Sequence, residues 1–206
     1  LTLKDPGVIT WVFFISSLMI SKRHKKELKI SQEWIHNYSL HYLGRYSSSS
    51  KNLERVIKKK LIKLSRDNNL LDSQIEKWIK MTIKMLEKNR MLDDTEYSKS
   101  KALSLFRSGK SSKIIYAKLK ILGISDENIN NALSNVVNNF IDSSTLEDLD
   151  YKAAIIFARK KNIPLESLKN EPLNKINKNI QKFNNAGFSI STIKKLVDLD
   201  LIDHQN

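Results

Sequence analysis

A short run occurs twice in this chain. "ILGISDENINNAL" (121–133) and "NAGFSISTIKKLV" (185–197) both read Gly, apolar residue, Ser, three residues, Ile. The two instances are Gly123-Ile124-Ser125…Ile129 and Gly187-Phe188-Ser189…Ile193. One mechanism accounts for each letter. The Gly ends a helix in the left-handed conformation it adopts without steric cost, the apolar residue pins the turn, and the Ser caps the next helix. A chain carrying this signal twice is constrained to stacked short helices.

The apolar spacing agrees. Trp34, Ile35, Tyr38 and Tyr42 recur at helical intervals, with Ser31 as a candidate N-cap, and "SSSS" (47–50) breaks that helix. Leu53, Val56, Ile57, Leu61 and Leu64 mark a second helix, and Ile75, Trp78, Ile79, Ile83 and Leu86 a third that Asp72 can cap. "MLDDTEY" (91–97) restarts the cycle, with Asp93 and Glu96 at capping-box spacing. A third cycle starts near Leu146, and Tyr38, Tyr97 and Tyr151 open the three cycles. Only five Gly and three Pro interrupt 206 residues, which favours helices over sheet. The reading is an all-α protein, an elongated array of three tandem three-helix repeats at 31–91, 92–141 and 142–204.

The N-terminal 1–30 reads as an extension. "VITWVFFISSLMI" (8–20) is shorter than the roughly 20 residues a spanning helix needs, and basic residues follow it rather than precede it. The expectation is that synthesis begins at Met19 and that 1–18 is upstream sequence, with a membrane anchor as runner-up and a core helix third. The remainder reads as cytoplasmic, monomeric and without stable membrane association.

Charge and missing residue types narrow the function classes. The formal net charge is +14, which calls for an anionic partner such as nucleic acid or an acidic protein surface. Part of that excess is Lys alongside abundant Asn and Ile, a composition that AT-rich codons alone produce. No cysteine is present, so disulfides, thiolate catalysis and Cys-based metal sites are excluded. The four His (24, 36, 41, 204) lack the i,i+4 spacing of a helical metal pair.

"SLFRSGKSSKIIYAKLKILGIS" (104–125) contains Gly109-Lys110-Ser111-Ser112, the closing letters of a phosphate-binding P-loop. That loop needs a Gly five residues before the Gly-Lys pair, where this chain has Ser104, and it must follow a buried strand. The plainer reading is an inter-helix turn with Ser111 or Ser112 as N-cap. Arg107, Lys110 and Lys113 beside open helix N–H groups would still let that turn grip a phosphate. Asp93-Asp94 reads as helix capping rather than an acid/base or Mg²⁺ pair, and Ser47–Ser50 as a capped turn without an activating His. Tyr38, Tyr42, Tyr46, Trp34 and Trp78 follow the apolar stripe and read as core. Lys58–Lys60, with Lys63 and Arg66, reads as a solvated face or a phosphate-facing stripe.

"EKNRMLDDTEYSKSKALSLFRSGKSSKIIYAKLKILGISDENINNAL" (87–133) resembles the central signature of the RecX regulatory proteins. The matching positions are Met91-Leu92-Asp93-Asp94…Tyr97 and Arg107…Gly109-Lys110-Ser111…Ile115…Leu119…Gly123-Ile124. "YSLHYLGRYSSSSKNLERVIKKKL" (38–61) is similar to that family's first repeat and "AGFSISTIKKLV" (186–197) to its closing one. Asn89-Arg90-Met91 departs from a Leu-Gly-Leu/Tyr lead-in, Ser98 stands where the family has Ala, 66–73 looks inserted and 163–173 is a Pro-containing linker. The resemblance implies a curved helical array lying in the groove of the RecA filament on single-stranded DNA. It also implies restraint of filament growth, ATP turnover, strand exchange and co-protease activity, with no catalytic centre and no cofactor or metal of its own.

Three hypotheses follow. The first is a negative regulator of RecA in DNA repair and the SOS response. The second is a basic helical DNA-binding module acting without RecA, and the third a phosphate-using enzyme built on Gly109–Ser112. Strong ATP binding would favour the third, and equal affinity for bare and RecA-coated DNA the second. Arg55, Lys58, Lys59, Arg107, Lys110 and Lys113, charges flanking inter-helix turns, are the expected partner contacts. Charge reversal at Lys58 and Lys59 is expected to weaken filament binding and spare helicity.

Overall fold

Amphipathic spacing turns into helices throughout the structure, a computed structural model that describes residues 30–64, 73–140, 145–165 and 171–197. In chain order these are α1 (Gln32–Leu43), α2 (Ser50–Leu64), α3 (Ser73–Lys88), α4 (Asp94–Arg107), α5 (Ser112–Ile121), α6 (Asp126–Phe140), α7 (Leu146–Lys160), α8 (Leu173–Asn185) and α9 (Ile190–Val197). The described residues hold no strand, so the fold is all-α. All nine helices lie in the unit Gln32–Asn206. The expectations on residues 1–18, Asp72 and Arg66 fall outside the described residues.

Local chemistry sets the helix ends. Asp93 caps α4, its carboxylate accepting from Thr95 N at 2.9 Å and Glu96 N at 3.0 Å. The Glu96 carboxylate turns to Lys99 instead, 2.6 Å away, rather than closing a capping box. Ser111 caps α5, and Ser125 and Ser189 accept from Asn128 N and Thr192 N, as the twice-repeated run requires. Gly109, Gly123 and Gly187 have φ of +75°, +82° and +83°. In each turn the following residue donates to a carbonyl five back: Lys110 to Leu105, Ile124 to Leu119 and Phe188 to Phe183. This 6→1 bond is the signature of a left-handed helix stop. Two further turns close the same way without Gly, at Arg90 (φ 56°) and Asn162 (φ 51°).

Taken as triples in chain order, the helices share one relation, the first and third of each packing most extensively on one another: α1 with α3, α4 with α6, α7 with α9. α6 shows why, burying Ile129, Ala132, Leu133, Val136 and Val137 on one face. One hydrophobic cluster runs from Ala102 to Ile193, through the second and third triples, and includes no residue of α1–α3. Phe157, Phe183 and Phe188 form an aromatic trio there, with ring centroids 5.3–5.9 Å apart. The first triple has its own buried set, among them Ile35, Leu53, Ile57, Ile79 and Leu86. Tyr46, expected in the core, is 58% exposed and rests against Tyr42. Among the described residues, no helix is long and apolar enough to cross a membrane.

Candidate binding surface

The six basic residues expected to touch a partner occupy two places. Arg55, Lys58 and Lys59 ride on α2, whose buried side is Leu53, Ile57 and Leu61. Arg107 ends α4, Lys110 lies in the α4–α5 turn and Lys113 in the first turn of α5.

On α2 the three cations differ. Lys58 is held between Glu54 (3.0 Å) and Glu76 of α3 (3.2 Å). The hydrogen bonds it donates to Glu54 and then to Glu76 raise its pKa. Burial pushes Glu54 up, but hydrogen bonds from Lys51 and Lys58 overcome it and hold that carboxyl below its ordinary value. Lys58 therefore keeps its charge but spends it within the first triple. Arg55 reaches across to the second triple and donates to Ile121 O at 2.5 Å. Lys59 is exposed, with no ion-pair partner among the described residues.

The Gly109 turn is built for packing. A Cβ on Gly109 would lie 2.8 Å from Phe157 N, so the turn sits directly on the backbone of α7. Its donors are occupied: Gly109 N bonds Phe106 O, Lys110 N bonds Leu105 O, and Ile114 N bonds Ser111 Oγ. Ser112 N and Ser112 Oγ both donate to Asp150, at 2.6 and 2.9 Å. Four of the N–H groups that would grip a phosphate here, those of Gly109, Lys110, Ser112 and Ile114, are thus already satisfied by the protein. Lys113 points out at the exposed side of α5, and the Arg107 carbonyl accepts from Lys160.

A feature the sequence reading missed is that one junction is made twice. Ahead of α2, Ser49 Oγ donates to Leu122 O (2.5 Å), and Ser50 N donates to Asp94 Oδ1 (2.8 Å). Ahead of α5, Ser111 Oγ donates to Ala186 O (3.0 Å), and Ser112 N donates to Asp150 Oδ1. Gly follows the accepting carbonyl both times. A Cβ on Gly123 would strike the Lys51 side chain, and one on Gly187 would come within 2.8 Å of Ser111 Oγ. So the starts of α2 and α5 are each seated on the turn that follows the middle helix of the next triple. The visible signal was the Ser-Ser pair before Lys in both "SSSSK" and "GKSSK".

No family model matches the chain. The regulatory protein RecX of Myxococcus xanthus (strain DK1622) is 29% identical over 175 residues, 84% of this chain and 89% of that protein. The crystal structure of RecX from Lactobacillus salivarius superposes with a TM-score of 0.58 at 22% identity, covering 83% of this chain and 97% of that one. Another crystal structure, of regulatory protein RecX, gives 0.56 at 20% identity, covering 81% of this chain and 71% of that one. The two structures speak for the fold, and the curated relative carries the likeness into sequence. Over most of its length, in sequence and in all-helical fold, this chain is similar to the RecX regulatory proteins.

Proposed function

We propose that this chain is a RecX-like negative regulator that binds the RecA filament on single-stranded DNA and limits its growth, ATP turnover and strand exchange. The observation that carries the reading is the match to a regulatory protein RecX along 84% of the chain. On this reading the protein acts by binding alone, as a cytoplasmic monomer, with no cofactor and no bond made or broken.

The proposal includes the repeat division at 31–91, 92–141 and 142–204. Two observations support it: the shared packing of first and third helices, and the junction made twice. Repeats that contact only their neighbours generate long surfaces able to follow a groove. A regulator of this kind needs that surface to be anion-seeking, since each turn of the filament carries a DNA strand.

The test adds the purified chain to RecA from the same organism on circular single-stranded DNA and follows ATP hydrolysis. The expected result is inhibition at amounts equal to or below RecA. Undiminished turnover at a one-to-one ratio sinks the proposal.

A further inference from the structure

The charge of this chain is not spread evenly over its helices. The three middle helices, α2, α5 and α8, carry twelve Lys and Arg against a single acid, Glu54. The other six described helices carry twelve against ten. α6, for example, has Asp126 and Glu127 and no basic residue. Composition drift toward Lys would load every helix alike. Segregation onto one position of each triple is a property of the fold.

The middle helices also meet end to start. Arg55 of α2 bonds the carbonyl of Ile121, the last residue of α5, and Ser49 bonds Leu122 just beyond it. Ser111, ahead of α5, bonds the carbonyl of Ala186, the residue after α8. α5 therefore begins where α8 ends, and α2 begins where α5 ends. Their 13, 10 and 15 residues make roughly 55 Å of helix at about 1.5 Å per residue. Buried faces are fixed by Ile176 and Phe183, Ile115 and Leu119, and Leu53, Ile57 and Leu61. Lys178, Lys118, Lys113 and Lys59 are exposed along the row, with no ion-pair partner among the described residues.

We propose that the exposed sides of α8, α5 and α2 form one continuous track for the phosphodiester backbone of a nucleic-acid strand. One-signed charge repeated along a line matches a polymer with a charge at every unit. An acidic protein surface would instead call for a compact patch centred on aromatic or Arg anchors. Lys, as a flexible point charge, suits phosphates met in varied geometry. The large exposed apolar residues of the three helices are Ile62, Leu64, Ile121 and Leu173, none of them aromatic, so the track grips backbone and does not read bases. The track deepens the proposed function by naming the face turned toward DNA, but it stands without RecA.

Two fourfold variants test it. The track set is Lys59→Gln, Lys113→Gln, Lys118→Gln and Lys178→Gln. The control set removes the same charge elsewhere: Lys80→Gln, Lys84→Gln, Lys88→Gln and Lys101→Gln. Binding to an oligo-dT strand is followed by fluorescence anisotropy across a salt series, with circular dichroism confirming equal helicity. The track set is expected to weaken binding by about tenfold or more, and to flatten the slope of log affinity against log salt by about 0.7 for each phosphate no longer neutralised. The control set should keep most of the slope. Equal weakening by both sets overturns the track, as does poly-glutamate binding as tightly as oligo-dT with the same sensitivity to the track set. RecA-dependent ATP turnover is read on the same proteins. Inhibition by wild type, with DNA binding weakened equally in the two sets, refutes the track alone. DNA binding weakened only in the track set, without inhibition by wild type, refutes the regulator alone.

Discussion

Arg90 holds a conformation that an L side chain adopts at a cost. It ends α3 at φ 56°, and the next residue, Met91, donates to Leu86 O at 2.9 Å to close the stop. The Leu-Gly-Leu/Tyr lead-in from which Asn89-Arg90-Met91 departs places Gly here. Left-handed backbone costs a non-Gly residue about 1–2 kcal/mol, partly offset by the extra freedom Gly has in the unfolded chain. Arg90→Gly is therefore expected to stabilise the protein by about 0.5–1 kcal/mol. The check is a rise in the urea midpoint at unchanged slope. A lower midpoint would mean that the Arg90 side chain contributes more than its backbone costs. Asn162, at φ 51°, makes the same stop with a residue that tolerates it better.

Between elements, the two junctions share a design and differ in one respect. Asp94 receives Ser50 N, whereas Asp150 receives both the N–H and the hydroxyl of Ser112. Burial pushes the Asp150 carboxyl above its ordinary value, and the two bonds from Ser112 oppose that only in part. The folded chain thus binds this proton more tightly than the unfolded chain does. The associated stability is fully present below the unfolded pKa of about 3.9 and is lost as pH rises through the raised folded value. Asp150→Asn keeps an acceptor for Ser112 N and carries no charge. Its stability relative to wild type should therefore grow from pH 4 to pH 8 in urea denaturation, and a gap that is flat or shrinks with pH refutes the assignment. The same junctions show what the sequence could convey. Gly123, Gly187, Ser125, Ser189 and Asp93 were legible because a cap or stop involves residues within one turn of one another. The junction partners lie 44 residues apart for Ser50 and Asp94 and 75 apart for Ser111 and Ala186, and no local pattern links them. For the same reason Lys58 read as a surface charge on α2, until packing brought Glu76 of α3 to it.

At the scale of the whole helical unit, the two junctions are not equally backed. Behind the second lies the shared hydrophobic cluster from Ala102 to Ile193, with α7 packed on α4, α5 and α6. At the first, the links include Ser49 to Leu122, Ser50 to Asp94, and Arg55 to Ile121, beside the close approach of Lys51 to Gly123 and of Tyr42 to Tyr97. Hydrogen bonds of that kind contribute about 0.5–1.5 kcal/mol each, because unfolding returns the groups to water. Apolar burial contributes about 25 cal/mol per Å², summed over every side chain in the cluster. The first triple should therefore open without taking the second and third with it. Native-state hydrogen exchange in low urea tests this. Slow amides of α1–α3 are expected to exchange through a sub-global opening, with lower free energy and weaker urea dependence than those of α4–α7. Convergence of both sets on one opening at all urea concentrations would show instead that the Ser49–Ser50 junction couples the triples as firmly as a core does. Such a joint matters for a track laid over three helices. Rotation at the Gly123 turn would change the line from α5 to α2, while the line from α8 to α5 stays fixed by the Phe157–Phe183–Phe188 trio behind it.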